Sequence, residues 1–345
     1  MKLRPIASYA RDIRPLLERA HFAPARSRLW WLPAHLAVLS TGTLLVSSRA
    51  LPWLAWPLVS LLMGFSFAGL TFLGHELLHG AVVRSKTWRR LLGWIGFLPF
   101  AVSPRLWEAW HNRVHHHHSN HPSRDPDAYP TLREYQENTL VRVATEWGPG
   151  RRRLRGALSL LVGFSTQSLH MLLDARRRGW LSRAEHARAL AETLAGVALW
   201  VALALLLGPV AFVFAYALPL LVANAVVMGF ILTNHTLSPH TEVNDPLVNS
   251  LSVTGPAWFE WLTLGFGYHV EHHLFPAMSA RHAPAVRAIL RQRWPGRYQS
   301  LSLPRALRAL HRSARVYESP TVLVDPKTGA RWQTLTPAIG AADLA

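Results

Sequence analysis

Ten of the chain's 19 histidines fall into three tight clusters: His75 and His79; His111, His115, His116, His117 and His118; and His269, His272 and His273. The spacings read HxxxH, HxxxHH and HxxHH, and His235 and His240 stand shortly before the last cluster. Imidazole is the commonest side-chain metal ligand and titrates near neutrality. Packed without a metal, so many rings would repel one another on protonation and leave donors unpaired. These residues point to a polyhistidine metal centre. Each cluster lies beside, not within, a long apolar stretch, which puts that centre at a membrane surface.

Ligand number narrows the chemistry. A closed zinc site takes four ligands, whereas eight or more positioned histidines are enough for two metals. Imidazole accommodates iron, copper, nickel and zinc alike. Activating dioxygen needs a redox metal with open coordination positions, and two irons can share the electrons required. The chain has no cysteine, which excludes disulfides, thiolate-bound zinc and iron–sulfur clusters.

The elements that must position these rings are helical and apolar. Only 16% of the residues are charged, against a usual quarter or so. Residues 51–74 and 193–233 carry no charge at all. A bilayer-crossing helix needs ~20 apolar residues, so the first stretch is one span and the second is two, turned at Gly208-Pro209. A further span runs from about Leu29 to Ser47. The expected architecture is all-α: an integral membrane protein with four transmembrane helices in two hairpins, at about 29–47, 51–74, 190–207 and 210–233. A helical cytoplasmic cap holds the histidines. A basic segment (1–28) precedes this membrane domain (29–295), and a cytoplasmic tail (296–345), loosely ordered after about Tyr317, follows it. No cleavable signal peptide is expected. Residues 91–102 and 156–173 are too short to span, and suit helices lying in the interface or packed against the cytoplasmic part.

Residues four apart share a helix face. His75 and His79 therefore grip one metal from one side, and His269, His272 and His273 also share a face. His111 and His115 are four apart, while His116 turns ~100° away, which either lets His115 and His116 reach different metals or marks a helix end. His118, seven residues from His111, rivals His116 on a continuous helix.

The net charge of +18 lacks any groove-reading motif, so no nucleic-acid partner is expected. Lys and Arg concentrate outside the two short hairpin turns. That pattern places both termini and the long 74–192 segment in the cytoplasm, held against anionic lipid headgroups.

HELLH (75–79), HNRVHH (111–116) and HVEHH (269–273) resemble the three histidine boxes of the membrane fatty-acid desaturase family. DPDAYPTL (125–132), NHTLSPHTEVNDPLVNSLSV (234–253) and GYHVEHHLFPAMS (267–279) are similar too, and the resemblance covers roughly residues 51–295. It implies a cytoplasmic non-haem di-iron centre that uses O2 and two electrons to remove two hydrogens from an acyl chain, lipid- or thioester-linked. The implied ligands are His75, His79, His111, His115, His116, His269, His272 and His273, with His235 preferred over His240 as the one upstream of the third box. The far nitrogens of such ligands need orienting partners. Glu76, Glu108, Asp125, Asp127, Asp245 and Glu271 are candidates, Asp125 and Asp127 the preferred pair. Phe97, Phe100, Trp110, Trp261 and Phe266 are placed to line an acyl tunnel. With no haem domain, nicotinamide fingerprint or cysteine cluster, electrons come from a separate ferredoxin-type or small haem protein.

Two other readings share these residues. The same centre could insert oxygen, as a lipid hydroxylase or ketolase. Alternatively, His75-Glu76-x-x-His79 satisfies the zinc metalloprotease motif, with Glu76 as general base, but that leaves two clusters without work.

Overall fold

The computed structural model describes residues 2–148, 153–313 and 315–335. The chain is mostly helical and divides into two compact units. One takes residues up to 23, 111–159 and those from 229 on; the other takes 24–110 and 160–228.

Four helices are long and apolar enough to cross a membrane: Arg26–Ser47, Trp53–Leu78, Arg183–Leu207 and Pro209–His235. They fall on the four apolar stretches of the sequence. Local signals set their ends. Ser182 and Glu185 form a reciprocal capping box before Arg183, which satisfies two orphan donors of the first turn. Gly208, at φ +74°, closes that helix, and Pro209 opens the next, where its missing N–H costs nothing.

In the second unit, the helix Lys86–Phe97 packs along Trp56–Leu78. Glycines permit the approach: a Cβ at Gly96 would stand 2.6 Å from the Gly74 Cα and 2.8 Å from the Leu70 carbonyl oxygen. Several polar groups of the apolar helices are satisfied internally, as a membrane interior favours. Ser60 Oγ donates to the Phe214 carbonyl at 2.6 Å, and Trp200 Nε1 donates to that of Leu98 at 2.7 Å. Asn224 accepts from the Ser165 N–H at 2.9 Å and donates to its hydroxyl at 3.0 Å. The stretch 156–173 holds two helices, Arg153–Leu160 and Gly163–Asp174, where one was expected.

In the first unit, Tyr9, Ile13 and Leu17 of the basic N-terminal segment enter a core with Leu247, Val270, Leu274, Val286 and Leu290. That segment thus buttresses the helix His269–Leu274. Two small sheets depart from the all-α expectation. Ser252–Thr254 pairs in parallel with Ser300–Ser302. Val316–Ser319, Val322–Val324 and Arg331–Gln333 form an antiparallel sheet. The latter lies in the stretch expected to be loose, because Val316, Tyr317, Leu323 and Val324 bury their side chains. The last ten residues of the expected tail, 336–345, lie outside the described residues.

Candidate metal centre

Two groups of histidines assemble within the first unit. His115, His235, His269 and His273 are all buried and bring ligand nitrogens within 4.8 Å of one another. The Nε2 atoms of His235 and His269 are 2.6 Å apart, and those of His269 and His273 are 3.0 Å apart. In the second group, His111, His116 and His272 also converge within 4.8 Å. The His116 Nε2 lies 3.1 Å from both the His111 Nε2 and the His272 Nε2.

Three elements supply these rings. His269, His272 and His273 project from the short helix His269–Leu274, and His235 ends the helix Leu218–His235. The third element is a π-helical segment, Glu108–His115, continuing into an α turn at His116–His118. A π turn bonds residue i to i+5 and occurs often at functional sites. It aligns His111 with His116 and carries His115 to the other group. The α-helical expectation paired His111 with His115, and their rings do stack, with centroids 5.1 Å apart; the wider turn adds His116 to His111. In the second unit, His75 and His79 sit at the end of Trp56–Leu78 with ring centroids 4.6 Å apart, as four-residue spacing requires.

The first group has the donor chemistry of a metal site. The Ser119 hydroxyl gives its one proton to the His115 carbonyl at 2.9 Å and lies 3.0 Å from the His273 Nδ1. His273 must then donate from Nδ1, which leaves its Nε2 a bare lone pair facing the group. The His115 Nδ1 is likewise taken, 3.0 Å from Asp125 Oδ1 and 3.3 Å from Asp127 Oδ2. The backbone N–H groups of Asn120 (2.6 Å) and Asp127 (3.0 Å) hold Asp125 in turn. Nδ1 partners of this kind fix tautomer and ring orientation in metal-binding histidines. Nitrogens this crowded cannot all be satisfied by one another, whereas a cation between them would accept every lone pair. The residues fit a metal ion.

Electrostatics agree. Burial drives His272 down to about 3 and His273 well below its ordinary value, so both stay neutral with lone pairs available. Burial also opposes the charge on His115, but Asp125 and then Asp127 outweigh it and raise that imidazole to about 9. In the metal-free protein His115 therefore carries a proton that a metal would displace.

A family model for fatty acid desaturases matches residues 51–304. This chain belongs to that family. A relative, dihydrorhizobitoxine desaturase from Bradyrhizobium elkanii, is 32% identical over 111 residues, an aligned stretch covering 32% of this chain and 29% of that protein. All nine histidines expected as ligands lie within the stretch matched to the desaturase family.

Other expected residues sort themselves by position. Of the preferred orienting pair, both carboxylates reach His115. Glu76 sits 3.5 Å from Arg28, Glu108 2.6 Å from Arg90, and Asp245 2.5 Å from Arg297. His240 stacks on Tyr317 at 3.6 Å between centroids and joins neither group, while burial lowers it to about 4. His117 is exposed, and His118 lies near His121, which pairs with Glu242 at 2.9 Å. Phe97 and Trp110 are buried beside Phe164 in the second unit, whereas Trp261 is exposed. An apolar cavity of about 440 Å³ in that unit is lined by others, among them Leu36, Met63, Phe67, Leu70 and Trp200. The sequence reading missed Ser119 and Asn120, whose only signal was adjacency to the densest cluster. It also missed Ser252, Arg287 and Tyr298, which clasp Glu271 from distant segments.

Proposed function

We propose that this protein is an O2-dependent fatty acyl desaturase, introducing a double bond into a lipid- or thioester-linked chain. Its ligands are His75, His79, His111, His115, His116, His235, His269, His272 and His273, and they hold two irons. One observation carries the reading: Asp125 and Ser119 occupy the Nδ1 atoms of His115 and His273, leaving the Nε2 atoms to converge. An unactivated methylene has no acidic proton or polar handle, so the bound irons supply the oxidising chemistry that removes its hydrogens with O2. The protein's own part is to orient the imidazoles, to keep His272 and His273 neutral, and to shelter the rings from water. The four apolar helices cross the membrane as two hairpins, with both termini and the metal centre cytoplasmic. Domain limits are 1–28, 29–295 and 296–345. Electrons arrive from a separate ferredoxin-type or small haem protein, steered by the basic face.

Two measurements test this. Metal analysis of the purified protein should find two irons per chain; one zinc would instead support proteolysis through Glu76. Expression in a host lacking polyunsaturated lipids, followed by mass spectrometry, should show acyl chains lighter by two hydrogens. A gain of one oxygen would make the protein a hydroxylase or ketolase. His272→Ala should abolish the new double bonds while leaving membrane insertion intact, and undiminished product would remove His272 from the ligand set.

A further inference from the structure

The helix Thr139–Trp147 is built the wrong way round for water. It is amphipathic at ~100° per residue, with Leu140, Val143, Ala144 and Trp147 on one side and Thr139, Arg142, Thr145 and Glu146 on the other. A soluble helix turns its apolar side to the core. Here part of the polar side meets the rest of the first unit, while Thr139 and Arg142 stay exposed: Glu146 accepts from the Tyr135 hydroxyl at 3.1 Å and lies 3.3 Å from the Lys327 ammonium. The apolar side faces out, with Leu140 80%, Val143 51% and Trp147 48% exposed, and the helix buries no residue. The next helix, Arg153–Leu160, continues the pattern with Leu154 72% and Leu158 44% exposed.

We infer that this outward face is a membrane-surface anchor, its occupant the anionic leaflet of a lipid bilayer. The charge fits that occupant. Arg142 is exposed on the same helix, and Arg151, Arg152, Arg153 and Arg155 follow within eight residues of Trp147 in the sequence. The Arg155 guanidinium lies over the Trp147 ring, 5.2 Å from its centroid. Leucine and tryptophan flanked by arginine are what interfacial helices use, seating apolar groups at the acyl boundary and cations among phosphates. A second copy of the chain is the poorer match in charge, since the protein carries 37 Lys and Arg against 19 Asp and Glu. The anchor would hold the histidine-bearing unit at the leaflet from which an acyl chain is drawn, but it stands on surface chemistry alone, whatever reaction the centre performs.

The absence of cysteine makes the test direct. Full-length Leu140→Cys, Val143→Cys and Gln136→Cys proteins are labelled with an environment-sensitive fluorophore. They are then placed in nanodiscs of mixed phosphatidylcholine and phosphatidylglycerol. Labels at 140 and 143 should lose emission to nitroxide-bearing lipids and be sheltered from aqueous iodide; the label at 136, on an exposed polar turn, should do the reverse. Exchanging phosphatidylglycerol for phosphatidylcholine, or combining Arg142→Gln with Arg155→Gln, should weaken the lipid quenching. Iodide quenching at 140 and 143 overturns the proposal. So does shielding from both quenchers, which would mean that protein covers the face.

Discussion

Glu271 stands between His269 and His272, and its buried carboxylate organises the helix that carries three of the histidines. Oε1 accepts from Arg287 Nε at 2.9 Å and from the Tyr298 hydroxyl at 2.5 Å, and Oε2 accepts from Ser252 Oγ at 2.6 Å. Ser252 Oγ in turn accepts from the Val270 N–H at 3.0 Å, tying the network to the same helix. Burial and the adjacent Glu271 push Tyr298 above its ordinary value, so it remains a donor. Glu271→Gln keeps the shape and removes the charge, leaving the buried Arg287 no carboxylate among the described residues nearer than Glu260, at 3.9 Å. Removing one partner of a buried ion pair costs about 3–5 kcal/mol, and Glu260 holds the loss near the lower end. At roughly 2–4 °C per kcal/mol for a unit of this size, melting should fall by roughly 6–12 °C. Iron retention should fall as well, since the Glu271 network ties down the helix that carries His269, His272 and His273. Replacing both partners, Glu271→Leu with Arg287→Met, removes the stranded charge and should recover most of the lost stability. Thermal unfolding in detergent, with iron measured per chain, tests both. Wild-type melting in Glu271→Gln, or a double variant no better than the single, refutes the reasoning.

Asp125→Asn tests the His115 pair through pH. His115 is raised to about 9 in the folded protein, above its ordinary 6.5. Its pairing therefore stabilises the metal-free protein fully below about 6.5, and that contribution is lost as pH rises through about 9. Metal-free wild type should lose melting temperature across that window and bind metal more tightly as the proton leaves. Asp125→Asn should flatten both profiles, and parallel curves would sink the assignment. Gly96→Ala should destabilise the second unit by at least the 1–3 kcal/mol typical of overpacking, since a Cβ there meets Gly74 and Leu70 backbone at 2.6–2.9 Å. Gly93→Ala meets the flexible Leu78 side chain instead and should cost less in the same melting assay.

The parts of the fold legible in the sequence were those governed by short-range rules. Charge-free length marks the four apolar helices, Gly208-Pro209 marks the break between two of them, and HxxxH and HxxHH spacings put rings on common faces. Long-range pairing escapes such rules. The clasp of Ser252, Arg287 and Tyr298 on Glu271 joins residues 11 to 27 positions apart, and no local pattern announces it. Tyr9, Ile13 and Leu17 lay hidden among basic neighbours that suggested a surface segment. The sheet over 316–333 escaped because its strands have only three or four residues and a turn-rich composition between them.

The densest histidine cluster shows where a helical rule fails for a physical reason. At α pitch His111 and His115 stack, and His116 points away. The π segment Glu108–His115 widens the turn, so His116 also meets His111, while His115 keeps its ring stacked on His111 and joins His235, His269 and His273. One added residue per turn thus divides consecutive rings between two groups, a separation that α geometry achieves only by turning one of them aside. Deleting the exposed Arg113 should restore α pitch. His111 and His116 would then be four apart and stay together, while His115, three from His111, would swing back to their face. The group around His235 would lose a ligand and its Asp125 anchor. Iron should fall from two per chain toward one, with membrane insertion unchanged. Retention of two irons would show that the widened turn does not separate the groups.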